Sequence, residues 1–148
     1  MKVLLINGSP HQKGCTYTAL SLIAGELNAA GIDTEILHVG GQPVGGCMGC
    51  GGCRSGNGCV YGGVVNEAIE KAKTADGFVF GSPVHYASAS GNMTSFMDRL
   101  AYAGGKYLAY KPAAICCSAR RAGTTTTLDQ LVKYPQFFHM PLVNGSYW

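Results

Sequence analysis

The chain has 148 residues, 47% of them hydrophobic, which is enough for one domain with a substantial core. Its 11 basic and 8 acidic side chains give a net charge of +3 without any basic run, so neither nucleic acid nor an anionic membrane surface is indicated as a partner. No apolar stretch approaches the roughly 20 residues that span a bilayer, and we therefore expect no membrane insertion.

The cysteine content bears on the cellular compartment. The sequence contains seven cysteines and begins directly with a predicted strand, without a secretory signal. In a reducing compartment, clustered thiols more often bind metal or carry out redox chemistry than form disulfides. We therefore predict a cytoplasmic protein with a single domain over residues 1–148.

The N-terminal segment predicts a strand, a loop and a helix. Residues 2–6 are apolar without alternation, which is typical of a parallel strand covered on both faces. A loop rich in glycine and hydroxyl groups follows over 7–18, and a helix is predicted over 19–27. The loop brings Ser9, Thr16, Thr18 and several backbone N–H groups to the helix N-terminus, where the helix dipole favours a phosphate. The alternative is an ordinary strand–helix connection with hydroxyl caps.

The loop sequence narrows the type of phosphate ligand. Gly8 and Gly14 nearly match the glycines of a P-loop, but the lysine that should follow the second glycine is replaced by Cys15. Triphosphate–magnesium chemistry is therefore disfavoured, and the dinucleotide pattern G-x-G-x-x-G is absent as well. A loop that binds through hydroxyls and amides, without an obligatory lysine, suits a monophosphate such as that of FMN.

The remaining chain alternates apolar runs with helical stretches, which is typical of βα units in a parallel sheet. We predict strands over 34–39, 77–81, 112–118 and 140–143, and helices over 64–74, 93–101 and 125–132. The sequence thus predicts an α/β fold with five parallel strands. A fifth strand normally needs a helix to cover it. Since none is predicted before the chain ends, we expect either a shortened chain or a partner subunit at that edge.

Two further loops are expected at the same edge of the sheet as the first. In an open parallel sheet, ligands bind beside the carboxyl ends of the strands. Residues 81–92 follow the third predicted strand and residues 118–126 follow the fourth, and both segments are long, polar and contain glycine. Pro83 and Tyr86 offer apolar surface and the 120–123 backbone offers donors, a combination that suits a flat, amide-rich ring.

Four segments occur in this order along the chain: Gly8-Ser9-Pro10, Gly81-Ser82-Pro83-Val84-His85-Tyr86, Phe96-Met97-Asp98-Arg99 and Arg120-Arg121-Ala122-Gly123. Together they resemble the NADPH-dependent FMN reductase family of flavodoxin-like proteins, and the similarity spans essentially the whole chain. The resemblance implies a flavodoxin-like three-layer α/β/α sandwich with strand order 2-1-3-4-5. It also implies bound FMN and a homodimer or homotetramer.

The resemblance further implies which residues form the cofactor site. Around the FMN phosphate it places Ser9, His11, Cys15, Thr16, Tyr17 and Thr18. It places Pro83, Val84, His85 and Tyr86 along the flavin ring, with Arg120, Arg121 and Gly123 on the opposite wall and Ser118 at the start of that loop. Since the flavin itself carries the redox chemistry, no catalytic side chain is predicted.

A cysteine-rich loop over 45–60 lies within a long connection over 40–63. Its pattern C-x2-C-x2-C-x5-C consists of Cys47, Cys50, Cys53 and Cys59. Two-residue gaps let thiolates converge, and four thiolates can hold a [4Fe–4S] cluster. Zinc, disulfides formed on oxidation and cysteines inherited without a cluster remain alternatives. The spacing resembles the iron–sulfur flavoprotein branch of the family, which implies a cluster near a subunit interface that exchanges electrons with FMN.

These patterns predict an FMN-dependent oxidoreductase, in which hydride reaches flavin N5 before reoxidation in one- or two-electron steps. The electrons would come from NAD(P)H or a redox protein such as ferredoxin, and pass to a small acceptor such as a quinone or free flavin. Two alternatives remain open. One is a non-enzymatic carrier in which FMN and a cluster relay electrons between proteins, and the other is a metal-stabilised interaction module without flavin.

Overall fold

A computed structural model describes residues 1–145 of the chain. The strands are β1 (Lys2–Asn7), β2 (Asp33–His38), β3 (Gly77–His85), β4 (Ser88–Ala89) and β5 (Ala113–Ser118). The helices are α1 (Cys15–Ala29), α2 (Val64–Thr74), α3 (Gly91–Gly104) and α4 (Thr124–Phe137), with short 3-10 turns at Gly52–Ser55 and Gly105–Tyr107. No helix in this part of the chain is both long and apolar enough to cross a bilayer.

Four of the strands form a parallel sheet in the order β2-β1-β3-β5. The register pairs Leu5 with Ile36 on one side and with Val79 on the other, and Val79 in turn pairs with Ala114. Because the four strands run in one direction, their carboxyl ends lie at one edge of the sheet. The predicted α/β class and the order of the first four predicted strands are therefore confirmed.

The predicted fifth parallel strand over 140–143 is reduced to a single bridge. Leu142 pairs with Ala113, whose N–H donates to the Pro141 carbonyl at 2.9 Å and whose carbonyl accepts the Val143 N–H at 2.8 Å. Pro141 lacks the N–H that a longer ladder would need. The fifth strand of the sheet is instead β4, which pairs antiparallel with the end of β3.

The helix boundaries show where local sequence was misleading. Helix α2 has the predicted bounds, whereas α3 and α4 extend beyond the predicted helices at both ends. Helix α1 begins at Cys15 rather than at residue 19, so residues 15–18 form its first turn and do not belong to the preceding loop. The glycine at position 14 takes an extended N-cap conformation, which lets the helix start directly after it.

Helices lie on both faces of the sheet and form two separate hydrophobic cores. Helices α2, α3 and α4 pack on the face that contains Leu4 and Ile6, whereas α1 packs through Leu20 against Leu5 and Val79 on the other. Consecutive residues of β1 therefore enter opposite cores, which explains why this strand is apolar without alternation. The predicted three-layer α/β/α arrangement is confirmed.

The sheet face beneath α1 is less completely covered than the opposite face. Val3, Ala114 and Cys116 are only partly buried there. The predicted absence of a final helix concerns the chain after residue 145, which lies outside the described residues, and it stays a prediction.

The α1 core offers a matched pair of substitutions. Leu20 is fully buried beside Gly81, whereas Leu22 on the same helix is 70% exposed. Because Leu20→Ala leaves a cavity, we expect the free energy of unfolding to fall by about 2–5 kcal/mol in urea denaturation. Leu22→Ala should change it by no more than about 0.5 kcal/mol. Equal losses in the two variants would contradict the packing described for α1.

Candidate functional site

Hydrogen bonds hold three loops together at the carboxyl edge of the sheet. The Gly8 N–H donates to the Gly81 carbonyl at 2.8 Å, and the buried Ser90 hydroxyl donates to the Gly8 carbonyl at 2.7 Å. The hydroxyl oxygens of Thr16 and Ser118 lie 2.8 Å apart, which connects the start of α1 to the end of β5. The loops after β1, β3 and β5 thus meet at one edge, as the sequence predicted.

The loop between β1 and α1 is shaped by its own hydrogen bonds. Asn7, which is fully buried, accepts the Ser9 N–H at 3.1 Å and donates through Nδ2 to the Gln12 carbonyl at 3.2 Å. The Ser9 hydroxyl accepts the His11 N–H at 3.1 Å, and the His11 side chain is exposed. The loop is therefore a closed turn in front of the helix.

The N-terminus of α1 opens onto this loop. Gly14 occupies the N-cap position, and no side chain of the described residues caps the helix. The N–H groups of Cys15, Thr16 and Tyr17 lie in the first turn, where no intrahelical acceptor is available. Among the side chains, Thr16 is buried, Tyr17 is half-buried and Cys15 is exposed, while the exposed Thr18 donates its hydroxyl to the Gly14 carbonyl at 3.3 Å.

The connection between β2 and α2, residues 39–63, begins in direct contact with the loop between β1 and α1. A Cβ atom at Gly40 would lie 2.2 Å from the Ser9 carbonyl oxygen, a distance that real side chains do not adopt. His38 contacts the same oxygen through Nε2 at 2.7 Å. The backbones therefore touch at this point, and only glycine fits there.

The segment after β3 forms a β-hairpin and not the irregular loop that was predicted. Pro83, Val84 and His85 belong to β3, the first two being half-buried and the third exposed. The turn residues Tyr86 and Ala87 have φ angles of 50° and 59°, and the Tyr86 side chain is fully exposed. Two consecutive left-handed residues are typical of a type I′ turn, which favours Asn-Gly, so the Tyr-Ala turn is strained.

Contacts from the β5–α4 region hold this hairpin in place. Gln130 Oε1 accepts the Ser88 hydroxyl at 2.8 Å and the Ala89 N–H at 3.0 Å. Gly123 has a φ of +93°, and a Cβ atom there would lie 2.6 Å from the Ala87 Cα. The second and third loops are therefore packed against each other and not merely adjacent.

The connections at this edge carry only positive charge. Between the ends of the parallel strands and the helices that follow them, the sequence contains Lys13, Arg54, Arg120 and Arg121 and no aspartate or glutamate. All four of these side chains are exposed. The edge therefore presents a basic rim, by which we mean these four residues.

The cysteine-rich loop forms a cavity beside the sheet edge. Its volume is about 340 Å³, and all four cysteines of the pattern line it: Cys47, Cys50, Cys53 and Cys59. The first two are exposed and the last two are half-buried. Within residues 1–145, no three Cys, His, Asp or Glu side chains are gathered tightly enough to form a metal-ligand set. The thiols thus share one cavity without converging on a point.

Two asparagines form hydrogen bonds with the two end regions of the connection between β2 and α2. Asn92 donates to two carbonyls of residues 40–42 at 3.0 Å each and accepts the Val44 N–H at 3.1 Å. Asn66 accepts the Cys59 N–H at 2.8 Å and donates to the Cys59 carbonyl at 3.0 Å. The loop therefore has a defined path even though it contains little regular structure.

Arg99 lies beneath the cysteine-rich loop and is only 7% exposed. Its Nε donates to the Cys59 sulfur at 3.2 Å, while Nη2 donates to the Gly62 carbonyl at 3.0 Å and Nη1 to the Gly45 carbonyl at 3.4 Å. The Tyr61 ring centroid lies 5.7 Å from the guanidinium carbon. One side chain of α3 thus contacts both ends of the cysteine segment.

Asp98, the neighbour of Arg99 in sequence, forms a hydrogen bond with α4 instead of the cysteine-rich loop. It accepts the Tyr134 hydroxyl at 2.6 Å, and burial together with this carboxylate raises the pKa of Tyr134 above its ordinary value. Adjacent residues on a helix do not face each other, so these two oppositely charged side chains do not form an ion pair.

The strand cysteines are chemically distinct from the loop cysteines. Cys116 and Cys117 belong to β5. Burial, with a smaller contribution from Cys117, raises the pKa of Cys116 to about 11, so its thiol is neutral near pH 7. A half-buried, neutral thiol of this kind serves as a small packing residue.

Several residues that build the sheet edge were not among the predicted site residues: Asn7, Asn66, Ser82, Ser90, Asn92 and Arg99. The partners of Ser90, Asn92 and Arg99 include residues far away in sequence, and Ser90 and Gly8 are 82 positions apart. The one local signal was Ser90, which precedes a predicted helix and is a typical N-cap residue.

Comparison with known families and proteins agrees with the family that the sequence motifs predicted. The family model described as NADPH-dependent FMN reductase matches residues 1–148. An iron–sulfur flavoprotein of Methanocaldococcus jannaschii is 33% identical over 99 residues, which are 67% of this chain and 51% of the relative. An iron–sulfur flavoprotein of Methanosarcina thermophila is 29% identical over 152 aligned residues, covering 99% of this chain and 78% of the relative. The chain thus spans about half the length of the former relative.

Solved structures with the same fold include flavin proteins. An NADH:FMN oxidoreductase in its apo form has a TM-score of 0.71 at 20% identity, with 97% of this chain and 72% of that chain covered. A flavodoxin from the domain Archaea has a TM-score of 0.68 at 15% identity, with 98% of this chain and 80% of that chain covered. At these identities the likeness concerns the fold, and it confirms the predicted flavodoxin-like class.

The contact between Gly40 and Ser9 can be tested by adding one methyl group. Gly40→Ala forces the two backbones apart, and we expect it to lower the free energy of unfolding by about 1–3 kcal/mol in urea denaturation. The matched control is Gly45→Ala in the same connection, where no described atom lies within 4 Å of the new Cβ. The close approach would be disproved if Gly40→Ala were as stable as this control.

Proposed function

Since this chain belongs to the NADPH-dependent FMN reductase family, we propose that it binds FMN at the carboxyl edge of its sheet and acts as an oxidoreductase through that cofactor. One observation carries the proposal. The loops after β1, β3 and β5 are joined by the Gly8–Gly81 and Thr16–Ser118 hydrogen bonds in front of an uncapped helix N-terminus. This edge therefore combines a helix end that suits a phosphate with two further loops that would border a flat ring.

We assign the FMN phosphate to the loop between β1 and α1. The N–H groups of residues 15–17 and the positive end of the α1 dipole favour an anion. The hydroxyls of Ser9, Thr16 and Thr18 are placed around this helix end. His11 is exposed beside them and can add a further hydrogen bond. The cradle needs no lysine because backbone and hydroxyl donors supply the hydrogen bonds.

We assign the flavin ring to the part of this edge that the β3–β4 hairpin and the loop after β5 border together. Pro83 to Tyr86 form one side, and Arg120, Arg121 and Gly123 form the other. The direct contact between Gly123 and Ala87 supports this assignment because it fixes both sides relative to each other. When bound, FMN supplies one- and two-electron redox chemistry, and the protein orients the ring and excludes water from it.

We further propose that the electron donor is anionic. The basic rim, formed by Lys13, Arg54, Arg120 and Arg121, raises the local concentration of negatively charged molecules. NAD(P)H and an acidic redox protein such as ferredoxin both fit this charge. The small-molecule acceptor, the homo-oligomeric state, the single domain and the cytoplasmic setting remain predictions.

The four-cysteine cavity fits a [4Fe–4S] cluster by its chemistry. All four donors are thiols, and Gly49 and Gly51, which stand between them, have φ angles of 65° and 71° that permit tight turns. The half-buried Cys53 and Cys59 would form the inner side of the site. Bound there, the cluster would supply one-electron transfer. This cavity also favours a second candidate function, that of an electron carrier between redox proteins.

The phosphate assignment is tested by Thr16→Val, which removes one hydroxyl at nearly constant volume. Loss of one hydrogen bond to a charged group costs about 1.5–3 kcal/mol, so we expect FMN to bind roughly 10- to 100-fold more weakly. Quenching of FMN fluorescence during titration of flavin-free protein measures the dissociation constant. Thr34→Val, at the amino end of β2, is the matched control and should bind FMN as the wild type does. Unchanged affinity in Thr16→Val would refute the assignment.

The cluster and the enzymatic activity are tested together on protein purified without oxygen. We expect iron and sulfide at about four each per chain, lost in Cys50→Ala and retained in Cys116→Ala, whose thiol lies outside the loop. Steady-state NAD(P)H oxidation with a quinone acceptor would support the enzyme. Reduction by a reduced ferredoxin alone would favour the carrier. Protein with FMN but no iron would exclude the cluster, and colourless protein that retains zinc would favour a structural metal site.

A further inference from the structure

Among the residues that the structure describes, Arg99 is a buried cation without a carboxylate partner. Within residues 1–145, none of the ion pairs includes it, and the adjacent Asp98 is engaged by Tyr134. A buried charge is strongly unfavourable unless a group of opposite charge and further hydrogen bonds compensate for it. The environment of this guanidinium therefore calls for an anion.

The hydrogen-bond partners of Arg99 identify where that anion lies. Two of the three are the carbonyls of Gly45 and Gly62, which are neutral. The third is the Cys59 sulfur, 3.2 Å from Nε. Of these three partners, only the Cys59 sulfur belongs to the four-cysteine cavity, whose thiolate ligands would carry the negative charge of a bound cluster.

We propose that Arg99 is the counter-cation of the four-cysteine site, and that it raises the reduction potential of the cluster held there. The proposal rests on the proposed [4Fe–4S] cluster. Reduction adds one electron, so the charge of the site becomes one unit more negative, while no bond forms or breaks. A cation and a sulfur hydrogen bond at short range stabilise the more negative state, and both effects favour reduction.

This role differs from that of the other arginine at the cavity. Arg54 also lines the cavity, but its side chain is exposed to solvent, where water screens its charge. Arg99 is buried and its guanidinium is fixed by three hydrogen bonds and the Tyr61 ring. Removal of one positive charge at position 99 should therefore lower the reduction potential of the cluster more than its removal at position 54.

The test compares Arg99→Gln with Arg99→Lys and with the control Arg54→Gln, all prepared as the full chain without oxygen. Redox titration with dithionite, followed by electron paramagnetic resonance, gives the midpoint potential of the cluster. For Arg99→Gln we expect the reduction equilibrium constant to fall at least about tenfold, which is about 59 mV for one electron. Arg99→Lys keeps the charge and should recover most of this loss, whereas Arg54→Gln should change the constant less than about threefold.

Each outcome of this comparison supports or overturns the counter-cation role of Arg99. An unchanged potential in Arg99→Gln, or an equal fall in Arg54→Gln, would overturn the proposal while leaving the cluster intact. If Arg99→Gln loses its iron, the counter-cation role requires that Arg99→Lys retains it, and equal loss in both variants would overturn the role. Wild-type protein without iron and sulfide would show instead that the proposed cluster itself is wrong, and the inference would fall with it.

Discussion

The buried hydroxyl of Ser90 is the contact on which the functional edge of this protein depends. It donates to the Gly8 carbonyl at 2.7 Å and accepts the Met93 N–H at 3.3 Å, so it joins the first loop to the start of α3. Met93 packs closely against Gly8, where a Cβ atom would lie 2.7 Å from the methionine sulfur. The position of the first loop is therefore determined by a helix far away in sequence.

Helix α3 extends this influence to the cysteine-rich loop. Asn92, in its first turn, binds the start of the long connection, and Arg99, two turns further on, binds the segment around Cys59. The proposed flavin site and the proposed cluster site are thus built on the N-terminus and the middle of one helix. A rigid support of this kind suits electron transfer, because the two sites keep a constant separation while only electrons move.

Sequence patterns predicted the parts of the structure that depend on local or periodic signals. The apolar run of β1, the bounds of α2 and the convergence of three loops follow from strand periodicity and the geometry of parallel sheets. The type I′ turn at Tyr86-Ala87 escaped prediction because neither residue is typical of that turn, and the contacts that hold it come from α4. The predicted fifth strand is reduced to one bridge because Pro141 has no N–H to continue the ladder, a break that the apolar run around it does not reveal.

The cysteine spacing indicated a ligand set, but not the cation beneath it. Position 99 belonged to a recognisable motif, yet its partners lie 37 to 54 positions away, and no pattern in the intervening sequence brings them together. The same holds for Asn92, whose amide binds backbone groups 48 to 52 positions away in a loop without regular structure. Such polar contacts depend on the folded path of the chain.

The opposite edge of the sheet differs from the basic rim, because it carries both signs of charge: Lys2 and Asp33 begin β1 and β2, and Asp76 and Lys111 lie just before β3 and β5. Uncompensated positive charge among the strand connections is therefore concentrated at the mouth of the proposed site. An anionic partner would be turned into a productive orientation before contact, and added salt would slow the encounter by screening the field beyond about 8 Å at physiological ionic strength.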